Sequence, residues 1–411
     1  MFNKKIKILI ILIVLLASIN TISAENNDWP MFQENMFLTG YINQTSDHVP
    51  NTWTYNMESA IISTPAIQNG IAYVISTEGI IKAIKIEDGS CQWSDNLETK
   101  VTASPVIKGN ILYVGGEDGY MYAYNIDNHN VKWKFKTPES IESTAFLTND
   151  SIYFGSNNGH VYKLDINNGE KQNEYNITGK ITSSPIIIND TLYVGSTNDR
   201  IYSINPDNGD QNWVYTTGDE VKSSPAISNN TLIIGSSDGT LYALNKTNGN
   251  VLWKFDTGNK ILSSPSIEEY NNNVYIGSDS GEVYCLDLRD GTLKWEYDTG
   301  DKVQTTPAIY DNNIVFASNN GHAYILNKYS GNVNLTFNPG LYLFNSPITS
   351  SPVLYGESLL ISGQDGYIYA LNDEKLEAPI TPLNIYTILI LIVVIILLAV
   401  GIKYTKKRIN E

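Results

Sequence analysis

Over residues 221–256, four short apolar runs alternate with polar turn residues. The runs are 223–227, 231–235, 241–245 and 251–255, separated by Asn229-Asn230, Asp238-Gly239 and Asn248-Gly249. Asp-Gly and Asn-Gly supply the positive φ that tight hairpins need, and β-branched and aromatic residues fill the runs. No helical 3.6-residue period runs through the stretch. The pattern predicts a four-stranded antiparallel meander.

The meander recurs. Pro225 has equivalents at Pro65, Pro105, Pro185, Pro265, Pro307 and Pro352, with Ala145 in the remaining place, at intervals of 40, 40, 40, 40, 40, 42 and 45 residues. Trp253 has equivalents at Trp93, Trp133, Trp213 and Trp295, while Asn173 and Leu335 stand there in the third and seventh copies. A fixed period near 40 with four strands per unit is the signature of a propeller blade. The eighth copy lacks its Trp strand, and one unpartnered Trp strand, Thr52-Trp53-Thr54-Tyr55, precedes the first copy. Pairing the two would close the ring and remove its open edges. The expected fold is therefore all-β: an eight-bladed propeller of four-stranded antiparallel blades, closed from N- to C-terminus, over 52–373. A Trp every 40 residues gives each blade an apolar wedge with one N–H to satisfy. Asn173 and Leu335 are accordingly expected to leave two weaker seams between blades.

The ends change the picture from a free domain to a tethered one. Residues 1–24 combine Lys4, Lys5 and Lys7 with an apolar run and Ala24, the pattern of a cleaved signal peptide. Residues 25–51, with the apolar Trp29-Pro30-Met31-Phe32, read as a segment packing on the propeller. A linker, 374–384, leads to 385–402, whose 18 residues carry no charge and would span a bilayer as a transmembrane helix. Lys403, Lys406, Lys407 and Arg408 follow in the tail 403–411, which places the C-terminus in the cytoplasm and the propeller outside. Residues 25–383 carry 42 acidic and 20 basic side chains, a net charge of −22. That charge repels nucleic acid and anionic lipid surfaces.

The pattern Ala-Leu-Asn-x-x-x-Gly-x-x-x-Trp (Ala243 to Trp253), and its variant from Cys285 to Trp295, resembles the PQQ-like propeller repeat. So does the opening from Trp29 to Phe32 followed by Thr39-Gly40-Tyr41. The family includes quinoprotein alcohol and glucose dehydrogenases and BamB, a scaffold subunit of the bacterial outer-membrane assembly machine. The resemblance spans about residues 28–372 and implies the fold; its members are both enzymes and scaffolds.

Candidate chemistry is sparse. The paired hydroxyls before each repeat proline (Ser63-Thr64, Ser183-Ser184, Ser223-Ser224, Thr305-Thr306 and their equivalents) would line either an axial channel or a crowded inner strand that needs small residues. The pairs Asp118-Gly119, Asp238-Gly239 and Asp365-Gly366 offer one carboxylate each, too few for calcium. His160 and His322 share the sequence Asn-Asn-Gly-His but fall in opposite blades, and His48 and His129 have no partner at ligand spacing. Cys91 and Cys285 belong to non-adjacent blades, too far apart for a disulfide. The adjacent Cys pair that the resemblance to alcohol dehydrogenases implies is missing. No catalytic, cofactor-binding or metal-binding residue is assigned, and no cofactor is expected.

The expected function is a cell-surface scaffold or recognition module that binds other surface or membrane proteins. A membrane-tethered PQQ-dependent dehydrogenase and a module for wall or glycan polymers are the alternatives. The longer first hairpin of the sixth copy, 268–273, and the extension 338–347 with Leu341-Tyr342-Leu343-Phe344 are the expected contact features.

Overall fold

The structure, a computed structural model, describes residues 41–42, 53–338, 346–356 and 358–371. The signal peptide, most of the segment before the propeller, Leu341 to Phe344, the linker, the expected transmembrane stretch and the tail lie outside the described residues. Among the described residues no helix is long and apolar enough to cross a membrane.

Eight antiparallel sheets of four strands make up the described chain, and one of them carries an added fifth strand. Blade 1 shows the plan: Ala66–Gln68, Ile71–Ile75, Ile80–Lys85 and Cys91–Asn96 pair in sequence order. First strands of neighbouring blades approach one another around the axis. Second strands such as Ile111–Gly115 and Ser151–Gly155 are buried throughout, because a blade covers each face. Blade 8 is completed by Trp53–Asn56, which pairs antiparallel with Tyr367–Leu371 and sets Trp53 opposite Ala370. The ring closes as the repeat count requires.

In all eight blades the tryptophan column lies opposite a third-strand residue, and that residue tracks it in size. Ala83, Ala123, Ser203, Ala243, Cys285 and Ala370 stand opposite tryptophans, whereas Lys163 faces Asn173 and Ile325 faces Leu335. A small residue leaves room for an indole; a longer one fills the space where the indole is lost.

The short strand Tyr41–Ile42 runs parallel to Ala308–Tyr310, the first strand of blade 7, with Tyr41 opposite Ile309. It is the fifth strand of that sheet, added at the axial edge of blade 7.

Candidate functional site

The hydroxyl pairs belong to the scaffold. The first of each pair, buried, binds the second strand of its own blade: Ser63 Oγ donates to Ile75 O at 2.9 Å, Ser143 Oγ to Gly155 O at 2.9 Å and Ser350 Oγ to Ser362 O at 2.6 Å. The second accepts a backbone N–H from the preceding blade. Thr64 N–H donates to Ser104 Oγ, Thr144 to Ser184, Ser184 to Ser224, Ser224 to Ser264, Thr306 to Ser351 and Ser351 to Thr64, all at 2.9–3.2 Å. These bonds stitch inner strands together around the ring and give the hydroxyls an architectural role.

The Asp-Gly turns are structural as well. Asp118, Asp238 and Asp365 accept the hydroxyls of Tyr122, Tyr242 and Tyr369, four residues on, at 2.5–2.6 Å. Asn158 and Asn320 hold the equivalent tyrosines with the direction reversed, Nδ2 donating to the hydroxyl oxygens of Tyr162 and Tyr324 at 2.7 Å. His160 and His322 each turn Nδ1 to the carbonyl of the asparagine two residues back, at 3.3 and 3.2 Å, in blades 3 and 7. Cys285 is fully buried in its place opposite Trp295, and burial pushes its thiol up to about 12, with the Lys294 charge opposing. On the native chain, iodoacetamide is expected to modify Cys91 and to reach Cys285 only after unfolding. Equal native labelling would contradict this packing.

Seams between blades share one construction. The indole N–H of Trp53, Trp133, Trp213, Trp253 and Trp295 donates to the carbonyl of Ile86, Ile166, Lys246, Leu288 and Lys328 in the next blade, at 2.6–3.1 Å. Each ring lies flat on a glycine of positive φ. A Cβ added at Gly89, Gly169, Gly249, Gly291 or Gly331 would come within 2.5–2.8 Å of the indole. At the seam after Asn173, Tyr175 takes over: it is buried, donates to Pro206 O at 2.6 Å and lies against Gly209. The weak seam expected there is filled by a residue two positions along the same strand. Leu335 is likewise buried in the core shared by blades 7, 8 and 1.

The departure falls instead between blades 1 and 2, where the tryptophan is present. His129 occupies the glycine position at φ 59°. Its turn matches the others, with His129 N–H donating to Asn125 O at 3.0 Å as Gly89 N–H does to Lys85 O at 2.8 Å. The imidazole instead packs on Trp93 at a tilt, with centroids 4.5 Å apart and 38° between the ring planes. Trp93 stays half-buried, and its N–H makes no bond equivalent to those of the other seams.

A second substitution opens space beside it. Two residues after the tryptophan position, the other fourth strands carry Tyr55, Phe135, Tyr175, Tyr215, Phe255, Tyr297 and Phe337; blade 1 carries Asp95. In five seams that ring packs on the third-strand tyrosine of the next blade at 5.2–6.2 Å: Phe135 on Tyr162, Tyr215 on Tyr242, Phe255 on Tyr284, Tyr297 on Tyr324 and Phe337 on Tyr369. Asp95 has no ring to offer Tyr122. An open cleft of about 400 Å³ results, bordered by Asp95, Glu98, Tyr122, Tyr124, His129 and Lys134, a size suited to a small ligand or a side chain. Tyr124 stands where other blades have Ile or Leu, and its hydroxyl donates across the seam to Asp95 Oδ2. Burial, then the Asp95 bond and charge, hold the Tyr124 hydroxyl protonated well above the ordinary tyrosine range. In the sequence His129 stands out only as a histidine without a ligand partner, and Asp95 and Tyr124 carry no motif; aligning the glycine and ring columns of the eight copies isolates all three.

The architecture and seams define an eight-bladed propeller of the PQQ-like type. A family model, that of the β-propeller of beta-alanine-activating enzyme, matches residues 68–373, and the chain belongs to that family. No curated protein sequence matches. Among solved structures, BamB from Moraxella catarrhalis is similar at 18% identity and a TM-score of 0.66, covering 79% of this chain and 100% of that one. The computationally designed Ika8 protein matches at 17% and 0.69, over 77% and 97% of the two chains. Quinohemoprotein alcohol dehydrogenase from Comamonas testosteroni matches at 13% and 0.73, over 86% and 81%. These likenesses establish the fold. Among the described residues no group of three or more His, Cys, Asp or Glu is placed to hold a metal ion. Cys91 and Cys285 stand in blades 1 and 6. This donor set does not fit a quinone held with calcium beside a vicinal cysteine pair.

Proposed function

We propose that the chain is a non-catalytic recognition module or scaffold, anchored in the cell membrane by 385–402, with its propeller outside the cytoplasm and 403–411 inside. The observation that carries the reading is the blade 1–2 cleft. Where the chain abandons its own repeat it opens a binding-sized space lined by aromatic and charged groups, and the axis is tied up in inter-blade bonds. BamB supplies an analogy for a propeller of this type that serves without chemistry of its own.

Protease treatment of intact cells is expected to remove the propeller and spare the tail. Cross-linking in native membranes is expected to capture a reproducible set of surface proteins. Protection of the propeller would overturn the topology. Quinone-dependent dye reduction by the purified chain would overturn the non-catalytic reading in favour of a tethered dehydrogenase.

A further inference from the structure

We propose that the blade 1–2 cleft receives an aromatic side chain, Phe or Tyr, from a partner protein, in a segment that carries basic residues beside the ring. The inference rests on the recognition reading above and names its site and ligand chemistry.

The ring column of the propeller is an internal template. In five seams the space over the third-strand tyrosine is filled by a Phe or Tyr of the preceding blade, with centroids 5.2–6.2 Å apart. At Tyr55 the same column covers Lys82 instead, with Nζ 5.0 Å from the ring centre. Asp95 removes the ring from one seam and leaves a cleft bordered by Tyr122. A ring supplied in trans would occupy the space that the chain elsewhere fills in cis, with the offset or tilted geometry aromatic pairs favour. The wall on the other side is also aromatic, since His129 is exposed and braced on Trp93.

Charge selects what flanks the ring. Asp95 is half-buried and Glu98 exposed at the rim. Lys134 is already engaged, with Nζ 4.5 Å from the Tyr120 ring centre and 6.0 Å from that of Tyr122. Two carboxylates on a domain of net charge −22 draw a basic segment and repel an acidic one. A Lys or Arg next to the inserted ring would meet Asp95 or Glu98.

The test uses the full chain in detergent and an acetylated, amidated tripeptide, Lys-Phe-Lys, with fluorinated phenylalanine, followed by fluorine NMR. The wild type is expected to broaden the peptide signal. The Lys-Ala-Lys control should compete about tenfold more weakly than unlabelled Lys-Phe-Lys, as expected for loss of a ring contact of about 1.4 kcal/mol. Asp95→Phe restores the ring column from within the chain; it should leave the chain folded and abolish the broadening. Asp95→Asn keeps the space and should lose the preference for Lys-Phe-Lys over Glu-Phe-Glu. Equal competition by Lys-Ala-Lys and Lys-Phe-Lys would overturn the proposal without recourse to any variant. Broadening that persists in a folded Asp95→Phe chain would also overturn it. So would binding of cellotriose, lost in Asp95→Phe, by a wild type that ignores the peptide; that result would make the cleft a glycan site. Failure of the peptide with membrane cross-links intact removes the cleft alone, whereas absence of cross-links removes the recognition reading itself.

Discussion

Trp253→Ala is expected to destabilise the propeller by about 3–5 kcal/mol, the usual cost of emptying a large buried aromatic site. The ring is 7% exposed, lies against Gly291 and donates to Leu288 O at 2.9 Å. Its removal leaves a cavity along a seam and strips a carbonyl of its partner, two losses that add. Nothing nearby can collapse into the space, since Ala243 opposite is small and held by its ladder. Trp93→Ala provides the comparison. That indole is half-buried and makes no inter-blade bond, so its loss should cost about 1–2 kcal/mol. Urea midpoints of the two variants decide the matter. Equal losses would show that the blade 1–2 seam is as tightly sealed as the others.

Lys328→Met should cost a similar amount, about 3–5 kcal/mol, because it leaves an unpaired carboxylate inside the protein. Lys328 Nζ lies 2.7 Å from Glu268 Oε1, and the side chains are 6% and 3% exposed. Asn271 and Asn273 donate to the same carboxylate at 2.6 and 2.9 Å, and Tyr275 OH at 3.2 Å. The cluster bolts the longer hairpin of blade 6 to blade 7 and leaves Tyr270 at its tip 93% exposed. Adding Glu268→Gln should recover at least half of the loss, since an amide oxygen in the Oε2 position still accepts from Asn273 and Tyr275 without a buried charge. A double variant no more stable than Lys328→Met, by thermal unfolding, would show that the pair is not the source of the effect.

The blades, their number and the closing strand were legible because they rest on local signals repeated at a fixed interval: the Pro and Trp columns, the Asp-Gly and Asn-Gly turns, and one Trp strand too many at the start. Other features depend on pairs that sequence order separates. Glu268 and Lys328 are 60 residues apart, and only the radial stacking of blades 6 and 7 brings them together. Tyr175 replaces the missing indole of its blade because the strand turns it toward Gly209, which a tally of tryptophans does not register. The cleft escaped because its causes are an Asp and a His, residues that look ordinary alone. Each becomes informative against seven equivalent positions held by rings or, for His129, against the glycines of the other seams.

Closure of the ring also sets when the protein can finish folding. Trp53 meets Ala370, so one of the first strands to be made waits for one of the last. Until Tyr367–Leu371 emerges, Trp53–Asn56 has no ladder partner and blade 8 offers open edges on both sides of the break, the state in which a β protein most readily pairs with the wrong chain. Contacts this far apart in sequence form late. The seven complete blades can stack progressively, each on its predecessor, but the final lock arrives just before the residues that follow 371. The strand nearest the expected membrane anchor is therefore also the clasp, held between Ser358–Ser362 on one side and Trp53–Asn56 on the other. A pull transmitted along the chain from its C-terminal end would load that clasp before any other blade.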